Sequence, residues 1–153
     1  MLKENFNLNI GSNEKKRTKI QQLRWGNTTQ MDLLLLECKE GIDLIVAADV
    51  VFEHDPHKKN ETSNLHSANV TFRLLHQTMQ YLSTNTKKLF NKVPEIYLAY
   101  KQRYSREGSF FSLMKQSFEV SSISRRDVHP DFLKAKLKIY RFILKEEHLK
   151  QDL

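Results

Sequence analysis

Apolar residues along this chain come in short blocks separated by polar, charged stretches. Each block carries a different period. Residues 2–8 are helix-friendly, with Leu2, Phe6 and Leu8 apolar, and residues 11–16 read as a polar loop. Residues 18–25 read as a short strand containing Ile20 and Leu23, stopped by the turn signal Gly26-Asn27. The leucine run 33–36, inside 31–39, fits a short helix or a strand equally. Residues 44–48 are continuously apolar and include β-branched side chains, the pattern of a strand buried on both faces. Residues 54–67 are a polar loop, and a helix capped near Asn69 runs to about Leu82, with Val70, Leu74, Leu75, Met79 and Leu82 along one face.

Pro94 precedes a second apolar run, 96–100, read as a strand. A helix follows Gly108, with Phe110, Phe111, Met114 and Phe118 on it. Residues 119–124 form a further strand candidate, 135–144 alternate as a strand rich in Ile, Tyr and Phe, and 146–153 are a charged tail. Strands alternating with helices and closing on two strands predict an α/β sheet layered with helices.

Composition narrows the function classes. At 153 residues the chain fits one domain with one core. Only 4 glycines are present, where average usage of about 7% gives roughly eleven. They stand singly at Gly11, Gly26, Gly41 and Gly108, so they assemble no phosphate loop and no dinucleotide fingerprint. The net charge of +7 is spread along the sequence, with one cluster at Lys15, Lys16, Arg17 and Lys19, and reads as surface solvation rather than a nucleic-acid stripe. A single cysteine, Cys38, excludes an internal disulfide and a cysteine-built zinc site, and suits a reducing intracellular compartment: cytoplasm, with the nucleus as a further location. No signal-peptide core and no bilayer-spanning run is seen, and three N-x-S/T matches are read as chance.

Ligands of an open α/β sheet sit beyond the carboxyl ends of its strands. Trp25 and Asp49 both close strand candidates. A lone tryptophan serves as core or as a platform for a flat ligand. An aspartate directly after a buried strand either caps the next loop or serves function. His54-Asp55-Pro56-His57 lacks further paired ligands and is not read as a metal site. No Gly-x-Ser-x-Gly elbow supports a hydrolase. The aromatic and basic stretch 100–104 is either a solvated turn or a surface for acidic substrate groups.

Taken in order, Leu23-Arg24-Trp25-Gly26, the 43–52 segment with Ala48-Asp49-Val50-Val51-Phe52, the 96–104 segment, Phe110-Phe111 and Phe118-Glu119-Val120 resemble the seven-β-strand S-adenosylmethionine-dependent protein-lysine methyltransferases of the methyltransferase-like group. The resemblance covers essentially the whole chain. It implies a Rossmann-like class I fold, mostly parallel, with an antiparallel C-terminal strand and the order 3-2-1-4-5-7-6. It also implies roles: Trp25 against the cofactor adenine, Ala48 lining the cofactor pocket, and Asp49 and Phe52 shaping the methyl-transfer site. Phenylalanine in place of the more frequent tyrosine keeps an aromatic wall without a hydroxyl. The implied cofactor is S-adenosylmethionine and the implied partner a protein carrying a target lysine; no metal, membrane or nucleic-acid partner is expected.

The family's glycine-rich loop and ribose-holding acid have no counterpart in the chain. The expectation is therefore a C-terminal portion of one methyltransferase domain: residues 1–17 a remnant helix and loop, 18–145 strands three to seven with helices, 146–153 a tail. Without strands one and two, the 18–25 strand has no neighbour and the 44–48 strand keeps one edge unpaired. The alternative function is a non-catalytic protein-interaction module derived from the same fold, followed by a basic nucleic-acid binder.

Overall fold

The computed structural model describes residues 4, 8–15, 17–51, 63–101, 108–130 and 137–149. Helix α1 spans Ser12–Lys15, within a stretch expected as loop. Helix α2 spans Thr28–Glu37, which settles the leucine run as helical. Its start is fixed by Asn27, whose side chain accepts the Gln30 N–H at 3.0 Å, while the Gln30 side chain accepts the Arg24 N–H at 2.7 Å. Met31 and Leu35, one turn apart, are the buried residues of α2; Leu33 and Leu36 face solvent.

Strand β1 spans Leu44–Ala48 and helix α3 Ser63–Phe90, longer at both ends than the expected 69–82 and beginning inside the expected 54–67 loop. Phe72, Leu75, Met79 and Leu82 recur on its buried face at helical spacing. Asn91, with φ 55, turns the chain out of the helix, and Pro94 leads into strand β2, Glu95–Tyr100. Helix α4, Gly108–Ser117, runs directly into strand β3, Phe118–Ser122. Strand β4 spans Lys138–Leu144. Two single turns of tighter helix lie at Arg125–Asp127 and Glu146–His148, the second within the expected tail.

The sheet order is β1-β2-β4-β3. The first pair is parallel and the other two are antiparallel, so three strands share one direction and β4 opposes them. This is the order that the resemblance implies for strands four to seven.

Side chains alternate across the sheet. On one face Ile96, Leu98, Phe118 and Phe142 meet Phe72, Leu75 and Met79 of α3 and Phe110 and Met114 of α4 in a single core. A smaller cluster of Met31, Leu35 and Leu82 joins α2 to α3. His76, buried beside Phe118, lies 3.1 Å from the Ser117 hydroxyl through Nε2. Burial holds its pKa below the ordinary imidazole value, with His148 adding to the shift.

The other face carries Leu44, Val46, Tyr97, Ala99, Ile139, Arg141 and Ile143. No described residue of that face is buried. Its polar centre is Glu95, which accepts Arg141 Nε at 3.0 Å and the Tyr97 hydroxyl at 2.8 Å. The Arg141 hydrogen bonds, then that from Tyr97, hold the Glu95 carboxyl below the usual carboxylate range.

Two expectations are corrected. Residues 18–24 form no strand. A strand needs a neighbour to take its backbone bonds, and this segment is held instead by Lys19 to Glu37 at 2.7 Å and by Leu23 against the α2–α3 cluster. Strand β1 is not buried on both faces either: Leu44 is 53% exposed and Val46 70%. Among the described residues it pairs only with β2, at the edge of the sheet, and its outward side chains are left exposed.

Candidate active site

The parallel strands β1 and β2 end on the same sheet edge, and Ala48 and Asp49 lie at the first of these ends. Ala48 is the last residue of β1, and its side chain is exposed on the uncovered face. Asp49 follows in the left-handed region at φ 58, a conformation that aspartate tolerates better than most residues. Its N–H donates to the Ala99 carbonyl at 3.3 Å, extending the β1–β2 ladder one step while the chain turns away. Val51, 3% exposed, then anchors the segment in the main core. An exposed carboxylate is thereby set on a rigid strand end, between a backbone bond and a buried valine.

Trp25 is placed by a different device. The Asn27 N–H donates to the Arg24 carbonyl at 3.0 Å, closing a four-residue turn with Trp25 and Gly26 at its centre. Gly26 has φ 77, as the third position of a type II turn requires. Its N–H donates to Thr78 Oγ1 at 2.8 Å, and that hydroxyl donates to the Leu74 carbonyl at 2.8 Å. A Cβ on Gly26 would lie 2.5 Å from Leu74 Cδ2. The turn is thus sewn onto α3, and Trp25, half-buried, packs against the same core that Ile45, Ala47 and Val50 meet from β1 and its exit. The structure brings the Trp25 turn and the β1 exit onto one cluster.

Phe52, His54 and His57 lie outside the described residues, as do Gln102, Arg103 and Tyr104. Among the described residues no group of three or more potential metal ligands occurs. No described helix is long and apolar enough to cross a membrane.

Sequence reasoning missed a cavity of about 340 Å³ at the same sheet edge, on the helix-covered face. Tyr100, Phe111 and Tyr140 line it, with Lys115 and Lys138. Its signal was present in the alternation Lys138, Tyr140, Phe142, yet only the pairing of β2 with β4 brings Tyr100 beside it.

Comparison with known proteins decides the lineage. A family model described as lysine methyltransferase matches residues 1–117. The chain belongs to this family. It is 28% identical over 131 residues to the protein N-lysine methyltransferase METTL21A of Danio rerio, covering 84% of this chain and 48% of that protein. It is equally 28% identical over 132 residues to METTL21A of Mus musculus, again 84% and 48%. The chain spans about half the length of these curated relatives. Its four-stranded mixed sheet is accordingly part of a class I methyltransferase fold.

Proposed function

We propose that this chain serves S-adenosylmethionine-dependent methylation of protein lysine, as the C-terminal portion of a methyltransferase domain whose cofactor pocket is only partly built from its residues. The observation that carries this reading is the packing of Trp25 on the same core cluster as Ala47 and Val50, the residues that flank the exposed Ala48-Asp49 strand end, at the carboxyl edge of the parallel strands in a lysine methyltransferase family chain.

The residues fit part of the cofactor. The Trp25 ring offers a flat apolar surface for adenine, and the small exposed Ala48 lets a ligand approach the strand end closely. When bound, S-adenosylmethionine supplies an electrophilic methyl group on sulfur. Asp49 orients the attacking lysine amine and accepts its proton; Phe52, the aromatic position that the family resemblance implies for the lysine channel, lies outside the described residues. Direct displacement needs alignment and exclusion of water more than covalent help from the protein. The scattered glycines and the edge of β1, unpaired among the described residues, support the incomplete-pocket part of the reading. The partner is a protein bearing the target lysine, in an intracellular compartment.

Trp25 is the chain's one tryptophan, so its fluorescence reports the site. Titration with S-adenosylmethionine is expected to quench it weakly, saturating only in the millimolar range. Saturation in the low micromolar range would overturn the incomplete pocket. No quench at several millimolar would overturn the placement of adenine at Trp25.

A further inference from the structure

The cavity beside α4 is not used by the reading above, and its chemistry is specific. Tyr100, Phe111 and Tyr140 form its aromatic floor, with ring centroids 5.0 Å apart for Tyr100 and Phe111 and 4.4 Å for Phe111 and Tyr140. Lys115, on the turn of α4 after Phe111, and Lys138, at the start of β4, are both exposed at the rim. Ser122 adds a hydroxyl at the end of β3. No carboxylate lies among the described residues that line it. The volume, about 340 Å³, is near the lower end of the roughly 300–1,000 Å³ range of ligand pockets, enough for one or two side chains.

From this geometry we infer that the cavity is a docking cleft for an acidic segment of the protein substrate that carries an aromatic side chain. The inference rests on the proposed protein substrate. Two ammonium groups above a ring floor attract carboxylates to the rim, while the rings take an aromatic or apolar side chain below them. Basic segments are repelled by the same lysines and by the chain's net charge of +7.

Its position matches that role. Tyr100 ends β2, Ser122 ends β3 and Lys138 begins the opposed β4, so the cleft opens on the same sheet edge as Asp49. An acidic segment docked there leaves a lysine elsewhere on the same polypeptide free to reach the β1 end. The cleft selects sequence context; the strand end holds the reacting amine.

Fluorescence polarisation with a fluorescein-labelled Glu-Glu-Phe-Glu peptide tests this on the intact chain. The acidic peptide is expected to bind in a salt-sensitive way, with Gln-Gln-Phe-Gln about tenfold or more weaker. The double variant Lys115→Glu, Lys138→Glu is expected to lose about tenfold or more in affinity with an unchanged circular dichroism spectrum. The milder pair Lys115→Gln, Lys138→Gln is expected to fall between it and the parent, which separates charge loss from misfolding. Equal binding of the neutral peptide, full retention by both double variants, or no binding of the acidic peptide would overturn the inference. So would a single-stranded RNA of equal charge that binds more tightly and suffers the same loss in the variants. Trp25 quenching by S-adenosylmethionine is read in the same samples. Failure of the parent chain to bind the acidic peptide, with quenching intact, rejects the cleft alone; peptide binding without quenching rejects the cofactor placement alone.

Discussion

The two faces of the four-stranded sheet are built from the same strands, yet they differ in what covers them. On the helix face Ile96, Leu98, Phe110, Met114 and Phe142 are each 0% exposed. On the other face the polarity is graded. Around β2 and β4 it carries Glu95, Tyr97 and Arg141, linked by hydrogen bonds and at ease in water. Along β1 it carries Leu44 and Val46, which gain nothing from water. The difference teaches that β1 has the side chains of an interior strand and, among the described residues, the position of an edge strand.

The sharpest test of the covered face is Phe142→Ala. This ring lies at the centre of the sheet, within 6.5 Å of the Phe111, Phe118 and Tyr140 ring centres. Removing it leaves a cavity that neighbours on three sides cannot fill, with an expected loss of about 3–5 kcal/mol in urea unfolding. A loss below about 1 kcal/mol would mean that the helix face is loosely packed and that the contrast between the faces is false.

A smaller effect is expected from Gly26→Ala, which strains the turn that carries Trp25. The clash with Leu74 involves the far end of a flexible side chain and is relieved by rotation. The φ of 77 is not, so the expected cost is about 1–3 kcal/mol. A shifted Trp25 emission maximum should accompany it. Unchanged stability and unchanged emission would show that the turn does not hold the indole on α3.

How much of this was legible in the sequence follows from what each feature depends on. Strands β2, β3 and β4 and helix α4 depend on local period and on the punctuation of Pro94 and Gly108, and their positions were readable to within a few residues. Helix α2 depends on a cap: four consecutive leucines fit either state, and the Asn27 side chain on the Gln30 N–H decides. The expected 18–25 strand failed because a strand is defined by its neighbour rather than by its own residues. The exposure of β1 was misread for the same reason, since LIVAA records the surroundings it suits and not the ones it has. The roles proposed for Trp25, Ala48 and Asp49 rest on the family resemblance and not on any local pattern. Nothing in the spacing of Trp25 and Val50 states that they meet one core cluster. The cleft needed Lys115 and Lys138 to be brought together by the β3–β4 pairing and the packing of α4, which no local window contains.

The smallest expected effect falls on the uncovered face and bears most directly on what β1 is for. Val46 is 70% exposed at the middle of an edge strand, so Val46→Lys removes little apolar burial and adds a charge in water. The expected change in unfolding free energy is within about 0.5 kcal/mol, as for other surface substitutions. An edge lysine also blocks strand-to-strand association, so sedimentation of the variant should depend less on concentration than that of the parent chain. A cost above about 2 kcal/mol would instead mean that Val46 is covered in solution. If that cost grows with protein concentration, the cover is a second copy of the chain, because the stability of an associated state follows mass action. If it does not, the strand is covered from within the chain, and the contrast between the two faces disappears.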